Sequence, residues 1–334
     1  MSRMVSALNS ALHGLFRDDD RLFLLGEDVG DPYGGAFGAT RGLSSRYPDR
    51  VLDMPISEGA IVGMAGGMAL CGDPVIVEVM FGDFITLCFD PIVNFISKSV
   101  SMYGRHLDMP VVVRCPVGGN RGYGPTHSQS LQKHLLGVPN LDLYELSPVH
   151  DVRRQFDLML GSGNPAVYFE DKVLYTTPAW QDGVVGEPFR FGPLDDTWVE
   201  IKADDTRPDR VVIAPGGLVP RVVPAMRAAL VEHELTSRLI VPSRLFPIDL
   251  TAVLPLVASA DGVVIVEDGV AGGGWSAELA RLLYERLWTK LRRPIEVVQP
   301  SCEVIPAAVE HERHLLVQES TIFSRLTGAH AWVT

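Results

Sequence analysis

The sequence predicts an α/β protein built from two doubly wound domains, and three observations lead to this prediction. Short β-branched or leucine-rich runs alternate with helix-patterned segments along most of the chain. Its 334 residues, 46% hydrophobic and 21% charged, are sufficient for two globular domains with substantial cores. The alternation stops once, in a stretch of proline, glycine, aspartate and threonine. We therefore predict a first domain at 1–180, a connecting segment at 181–204 and a second domain at 205–334.

The first domain is expected to open with a helix, because apolar residues near the N-terminus recur on one helical face. This pattern argues against a targeting segment. The expected strands are Leu22–Leu25, Pro74–Met80, Pro110–Arg114, Leu141–Leu146 and Ala166–Glu170. Helices are expected from Glu58, from Pro91 with Asp90 as N-cap, and from about Val149. Such an alternation favours a mostly parallel sheet that is covered on both faces.

The second domain shows the same alternation, although its sequence does not repeat that of the first. The expected strands are Val211–Ala214, Leu239–Val241, Gly262–Glu267 and Ile295–Val298. Helices are expected near Pro220–Glu232 and near Ala277–Leu287. This domain is therefore also predicted to be α/β.

Charge and cysteine content exclude several classes of function. The net charge of −12, from 29 basic and 41 acidic residues, disfavours nucleic acid and anionic membranes as partners. No run of 18 apolar residues that could cross a bilayer occurs in the sequence. The four cysteines show neither metal-ligand nor disulfide-scaffold spacing, so we expect small buried hydrophobes in a reducing compartment. We predict a cytoplasmic protein with no metal-binding residues of its own.

The chemistry is expected in loops at strand ends, where open α/β sheets place their sites. These loops are Gly26–Gly30, the segment before Glu58, Phe81–Phe84 and Gly118–Gln129. Each has an ordinary interpretation. Glu58 suits the first turn of a helix capped by Ser57, and Glu27 suits a solvated turn. The phenylalanines suit the core, and His127 suits a hydrogen-bonded histidine. No single loop decides between these interpretations and a functional site.

The order of the motifs is more specific than any one of them. The chain resembles the beta subunits of thiamine-diphosphate-dependent 2-oxoacid dehydrogenases in LLGEDVG, YGGAFGATRGL, DMPISEGAIVGMAGGMAL, VEVMFGDF, DPIVNFISK, GPTHSQSL and NPAVYFEDKVLY. The resemblance is close over about residues 20–175 and looser through PSRLFPID and VED. It implies a pyrimidine-binding domain followed by a transketolase C-terminal-like domain.

The resemblance also implies roles for individual residues. Glu58 matches the glutamate that hydrogen-bonds a pyrimidine ring nitrogen of thiamine diphosphate and promotes the cofactor's reactive tautomer. Phe81 and Phe84 match the aromatic residues that flank the aminopyrimidine. His127 matches a histidine placed to bond the substrate carboxylate or the oxygen that gains charge. Glu27 matches a second acid of the cofactor site, on a passage between paired active sites.

Two departures from the family pattern bear on metals. Magnesium in these enzymes is held through a Gly-Asp-Gly motif, but no Gly-Asp pair in this sequence is followed by glycine. The resemblance therefore implies that a partner alpha subunit holds Mg²⁺ and the diphosphate. Some relatives bind a structural potassium ion at positions that match Val111, Met159, Leu160, Ser162 and Asn164. Because the family's aspartate is replaced by Ser162, we expect this cation site to be weak.

The resulting hypothesis is a beta subunit of a 2-oxoacid dehydrogenase that is active only in a heterotetramer of two alpha and two beta chains. It would decarboxylate a 2-oxoacid and transfer the acyl unit to a lipoyl group on a partner acyltransferase. The alternative is transketolase-like transfer of a two-carbon unit by a two-subunit enzyme, with an acyl carrier protein as a further acceptor. The Gly-Pro-Thr-His form supports that alternative. A third possibility, a scaffold without catalysis, is disfavoured by the presence of Glu58, Phe84 and His127.

Overall fold

The computed structural model describes residues 3–180 and 182–328, and the chain forms two compact units. The first contains the described residues up to Val117, together with Leu135–Leu146 and His150–Ala179. The second contains Gly118–His134, Ser147–Val149 and the described residues from Trp180 onward. The segment Gly118–His134 falls within our expected domain at 1–180, but it makes its contacts in the second unit.

The elements of the first unit follow the predicted alternation. Its helices are α1 (Met4–Asp18), α2 (Leu43–Arg46), α3 (Glu58–Leu70), α4 (Ser97–Ser99) and α5 (Val152–Gly161). Its strands are β1 (Phe23–Gly26), β2 (Val51–Asp53), β3 (Val75–Glu78), β4 (Val111–Val117), β5 (Asp142–Glu145) and β6 (Ala166–Asp171). Short 3₁₀-helices cover Gly82–Cys88, Gln132–His134 and Leu174–Thr176, and a π-helix covers Pro91–Ile96. Of these, the 3₁₀-helix Gln132–His134 lies in the segment Gly118–His134 and so belongs to the second unit.

These strands form a parallel sheet in the order β5-β6-β4-β3-β1-β2. The residues of β3, β4, β5 and β6 are buried throughout, as expected for strands covered on both faces. The sequence analysis missed β2 and α2, which are too short to show a periodic pattern. Asp90 also differs from its expected capping role, because it lies in helical conformation and its carboxylate accepts a hydrogen bond from Asn94.

The small residues of α3 are explained by close packing on one side of the helix. A Cβ atom at Gly59 would lie 2.9 Å from the carbonyl oxygen of Leu87. A Cβ atom at Gly66 would lie 2.5 Å from Cε1 of Phe95 and 2.7 Å from Cγ2 of Ile96. By contrast, a Cβ atom at Gly67 would have no neighbour within 4 Å. The start of α3 is therefore pressed against the 3₁₀-helix Gly82–Cys88, and its middle against the π-helix.

The second unit also has a sheet with helices packed on it. The strands of this unit are β7 (Val184–Gly186), β8 (Phe189–Pro193), β9 (Trp198–Lys202), β10 (Arg210–Ile213), β11 (Ser237–Pro242), β12 (Arg244–Phe246), β13 (Gly262–Val266) and β14 (Glu296–Val298), and all of them except β12 form its sheet. Its helices are α6 (Val219–His233), α7 (Leu254–Ser259), α8 (Trp275–Leu287), α9 (Val309–Leu315) and α10 (Glu319–Thr327), with a 3₁₀-helix at Gly216–Leu218. The predicted alternation of this domain from 205 onward is confirmed.

The order in the second sheet is β14-β13-β10-β11-β9-β8-β7. The strands β14, β13, β10 and β11 are parallel, whereas β9, β8 and β7 add on in antiparallel fashion. The segment 181–204 was expected to be a connection, but it contains these three antiparallel strands. β7 and β8 are partly exposed and contain glycine or proline, and β9 is buried but interrupted by charged residues, so none of the three shows an apolar run that the sequence analysis could recognise.

No helix in the described part of the chain is long and apolar enough to cross a membrane.

The packing of α3 predicts opposite effects for two neighbouring glycines. Replacing Gly67 by alanine should raise the free energy of unfolding by up to about 1 kcal/mol, because alanine is the better helix former and the site is open. Gly66→Ala should instead lower it by about 1 kcal/mol or more, because the new methyl group overlaps Phe95 and Ile96. Urea unfolding of both variants and the parent chain measures the difference. Equal stabilisation by the two alanines would contradict the packing described.

Candidate active site

The parallel pairing of three strands brings the predicted acidic loops to one edge of the first sheet. β1 lies between β2 and β3, with Gly26 in register with Asp53 on one side and Glu78 on the other. The loops that leave these three strand ends carry Glu27, Glu58 and Phe81. Residues that are distant in sequence are therefore gathered at the carboxyl edge, where open α/β sheets bind ligands.

Two carboxylates are buried side by side at this edge. Glu27 is 6% exposed and Glu58, the first residue of α3, is 7% exposed. The backbone N–H of Ser57 donates a hydrogen bond to the Glu27 carboxylate, but Oε1 of Glu27 has no hydrogen-bond partner among the described residues. Burial, and then the charge of Glu58, raises the pKa of Glu27 above its usual range. Neither acid faces water, which removes the ordinary interpretation of Glu27 as a solvated turn residue.

A cysteine completes this acidic cluster. Cys88, at the end of the 3₁₀-helix Gly82–Cys88, is fully buried. Burial, with smaller contributions from Glu58 and Glu27, raises the pKa of its thiol to about 12. The thiol is therefore protonated at neutral pH and adds no negative charge to the two carboxylates. The sequence analysis did not assign Cys88 to the site, because its proximity to both glutamates depends on three separate loops.

Two half-buried aromatic rings lie at the start of the same 3₁₀-helix. The rings of Phe81 and Phe84 meet edge to face, with centroids 6.0 Å apart and planes at 73°. Phe81 also meets Phe37 edge to face at 5.7 Å, and Nζ of the buried Lys172 lies 5.7 Å from its ring centroid. Partly exposed rings beside buried acids suit a flat heteroaromatic group that needs both stacking and a hydrogen bond.

Behind the rings lies a buried ionic network that the sequence analysis missed. Arg114 is 1% exposed, and its Nε and one terminal nitrogen donate to Glu170 at 2.7 Å each. Its other terminal nitrogen donates to Glu78. The hydroxyl of Tyr175 donates to Glu170 at 2.6 Å, and its ring packs on Phe37 at 5.0 Å. Charged residues inside the apolar runs VVVRC and AVYFED are the signal that could have identified this network.

Burial acts against ionisation in this network, and ion pairing acts in its favour. Burial disfavours the guanidinium charge of Arg114, but Glu170 and Glu78 outweigh it and raise the pKa of Arg114 above its usual range. Burial also raises the pKa of Glu78, although Arg114 opposes this shift. Gly35 is required here, since a Cβ atom at that position would overlap the Glu78 carboxylate. The network therefore joins β3, β4 and β6 to the loop that follows β1.

His127 belongs to the second unit, unlike the acids and the aromatic pair. It is half-buried and lies in a loop rich in glycine. Oγ1 of Thr126 lies 3.0 Å from Nδ1 of His127, and the backbone N–H of His127 donates to Gly124 at 3.2 Å. The adjacent Ser128 is fully buried, and its hydroxyl has no hydrogen-bond partner in the described part of the chain. A hydroxyl at Nδ1 orients the imidazole ring of His127.

The positions that match a potassium site are arranged around Ser162. Its hydroxyl lies 3.1 Å from the carbonyl oxygen of Met159 and 3.2 Å from that of Asn164. The backbone N–H of Asn164 also donates to this hydroxyl at 3.1 Å. The serine hydroxyl, a neutral group with one hydrogen to donate, therefore lies between these two carbonyl oxygens. Across residues 3–180 and 182–328, no group of three or more His, Cys, Asp and Glu side chains could hold a metal ion.

Comparison with known proteins identifies both halves of the chain. Residues 2–177 match the transketolase pyrimidine-binding domain, and residues 199–322 match the transketolase C-terminal domain. The beta subunit of the pyruvate dehydrogenase E1 component of Gracilaria tenuistipitata var. liui is 31% identical, over 91% of this chain and 90% of the relative. The beta subunit of acetoin:2,6-dichlorophenolindophenol oxidoreductase of Cupriavidus necator is 29% identical, over 92% of this chain and 91% of the relative.

A solved structure shows the same fold. The inactive beta4 tetramer of a split-gene transketolase aligns with a TM-score of 0.72 at 18% identity, covering 98% of this chain and 97% of the other. The predicted fold class, two α/β domains of the transketolase type, is confirmed.

The environment of Cys88 predicts its reactivity. The two cysteines exposed in the folded chain, Cys71 and Cys302, should react readily with iodoacetamide at pH 8. Cys88 should not, since a thiol with a pKa of about 12 is almost fully protonated there and is also buried. Peptide mapping after timed alkylation of the native chain measures each rate. Labelling of Cys88 as fast as Cys302 would show that its thiol is accessible and ionised.

The buried network predicts a large cost when its cation is removed. Arg114→Met should lower the free energy of unfolding by about 3–5 kcal/mol, because Glu78 and Glu170 would remain buried without their counter-ion. The matched control is Arg153→Met, which removes an arginine whose ion pairs with Asp18 and Asp157 lie at the surface. That change should cost less than about 1 kcal/mol. A similar, small cost for both variants in urea unfolding would contradict a buried network that depends on Arg114.

Proposed function

The chain belongs to the transketolase-type family that includes the E1 beta subunits of the 2-oxoacid dehydrogenases, and on this premise we propose its function. It is the beta subunit of a decarboxylating component that acts on a 2-oxoacid. The observation that carries this proposal is the buried pair of Glu27 and Glu58 beside Cys88. A carboxyl that holds a proton in a site shielded from water is suited to proton exchange with a weakly basic ring nitrogen.

The residues at this edge fit the pyrimidine half of thiamine diphosphate. When bound, this cofactor supplies the carbon nucleophile and the electron sink for decarboxylation. Glu58 would bind a ring nitrogen of the pyrimidine and exchange a proton at its carboxylate. Glu27 holds an unpartnered oxygen and a raised pKa beside Glu58, and it would keep the pair short of two full charges. Phe81 and Phe84 would supply the apolar faces on which the ring stacks.

His127 is proposed to bind the substrate. The contact between the Thr126 hydroxyl and Nδ1 orients the His127 ring, and an imidazole can donate or accept a hydrogen bond. We assign it to the substrate carboxylate or to the oxygen that gains negative charge during decarboxylation. A positioned donor stabilises such a developing charge more than it stabilises the ground state.

The diphosphate and Mg²⁺ are assigned to a partner alpha subunit, in a heterotetramer of two alpha and two beta chains. The support is that this sequence contains no Gly-Asp-Gly motif. Activity is therefore proposed for the assembly only. The acceptor of the acyl unit would be a lipoyl group on a partner acyltransferase. The names of the relatives, a pyruvate dehydrogenase and an acetoin oxidoreductase, support this proposal over transketolase-like transfer.

The proposal predicts that Glu58→Gln inactivates the assembly without unfolding the chain. Losing a positioned acid–base group should lower kcat for 2-oxoacid decarboxylation about 100-fold or more. Glu285→Gln is the matched control, because Glu285 is an exposed acid on α8, and its kcat should remain that of the parent. Both variants are assayed with the alpha partner, and circular dichroism checks their folding. Parental turnover by Glu58→Gln would remove this residue from the mechanism.

A further inference from the structure

The loop that carries His127 is held in place within the second unit by contacts near both of its ends. We call residues 118–134 the histidine loop. The backbone N–H of Gly118 donates to the carbonyl of Gln129 at 3.0 Å and closes the loop on itself. Near its C-terminal end, Nζ of Lys133 donates to the carbonyls of Val270 at 3.0 Å and Gly272 at 3.2 Å. Its N-terminal part, residues 119–124, has a different support.

That support is the segment formed by α9 and its flanking residues. A Cβ atom at Gly122 would lie 2.5 Å from Cγ2 of Val309, and one at Gly119 would overlap Leu316. Gly122 also has a φ of +71°, which residues with a side chain rarely adopt. Gly119 and Gly122 are thus explained by the close approach of the loop backbone to the α9 segment.

Glu312 lies at the centre of this contact. It is on α9 and is fully buried, with an exposed fraction of 0%. Its Oε2 accepts a hydrogen bond from the backbone N–H of Gly122 at 2.9 Å, and its Oε1, beside Gly119, has no hydrogen-bond partner within 3–180 and 182–328. A second polar contact lies just beyond the end of α9, where Nε2 of Gln318 donates to Oδ1 of Asn120 at 3.0 Å.

Burying a carboxylate costs free energy unless the group is paired or hydrogen-bonded, since desolvation disfavours its charge. The neighbouring acid Glu310 on the same helix is exposed, so the burial of Glu312 does not result from its position on α9 alone. Within residues 3–180 and 182–328 the Glu312 carboxylate forms no ion pair, and its hydrogen bond is to the histidine loop. The bond reaches Gly122, two residues before Gly124, whose carbonyl accepts the N–H of His127.

We propose that Glu312 is a positioning residue that fixes residues 119–124 and thereby sets where His127 lies. Gln318 assists it through Asn120. This inference rests on the proposed role of His127 in substrate binding, but the anchoring of the loop does not depend on that role. Loss of the Glu312 carboxylate leaves the N–H of Gly122 unpaired, which frees the loop and misplaces the imidazole.

Hydrogen exchange on the full chain tests the anchoring without any assay of activity. In Glu312→Ala, amides in peptides covering 118–128 should exchange at least about tenfold faster, because one lost bond to a charged group exposes the loop to opening. Glu312→Gln keeps an oxygen for Gly122 and should exchange nearly as the parent does. Glu310→Ala, the control on the same helix, should not change exchange. Unchanged exchange in Glu312→Ala overturns the proposal.

Turnover of the complete assembly tests the positioning. Glu312→Ala should lower kcat by up to about 100-fold, with Glu312→Gln restoring most of it and Glu310→Ala unaffected. Faster exchange with parental kcat would overturn the positioning role. His127→Ala is assayed in parallel, and parental turnover by that variant would overturn the role of His127 while leaving the exchange result intact. If Glu312→Ala does not fold, Gln318→Ala provides the same two measurements with a milder loss.

Discussion

The candidate site depends on the burial of two carboxylates beside each other. Two adjacent negative charges without counter-ions are unstable in a protein interior, so one of the pair retains a proton more strongly than a free carboxyl. The raised pKa of Glu27 is the expression of this constraint. The protonated thiol of Cys88 fits the same requirement, because a third charge there would be still less favourable. An acid pair of this kind is suited to a ligand that accepts or donates a proton.

The surrounding structure holds this pair in place through packing and a second set of charges. Gly59 and Gly66 allow α3 to approach its neighbours closely, which fixes Glu58 at the helix start. On the other side, a continuous series of contacts runs from Phe84 through Phe81, Phe37 and Tyr175 to the Glu170–Arg114–Glu78 network. The aromatic rings are therefore supported by a buried network of hydrogen bonds and ion pairs. In such a network, a change to one residue leaves its partners without their hydrogen bonds.

The sequence predicted the elements whose patterns are local and missed those that depend on tertiary contacts. Buried parallel strands such as Gly262–Val266 appear as continuous apolar runs, and Glu58 is a typical first-turn residue of the helix that it begins. The strands within 184–202 are short, and two of them, β7 and β8, are half-exposed, so their pairing in the sheet is what identifies them. The site residues Glu58, Phe81, Phe84, His127 and Glu27 were named through motif order. Cys88, Arg114 and Glu312 were not, because their importance lies in partners that are distant in sequence.

The most direct test is a calorimetric titration of the purified chain with thiamine diphosphate and Mg²⁺, first alone and then with the alpha partner. Stacking on Phe81 and Phe84 with one or two hydrogen bonds offers roughly a few kcal/mol before the entropy of association is subtracted. The chain alone should therefore show no measurable binding, and the assembly should bind tightly. Micromolar binding by the chain alone, equivalent to about −8 kcal/mol, would contradict a site completed by a partner subunit.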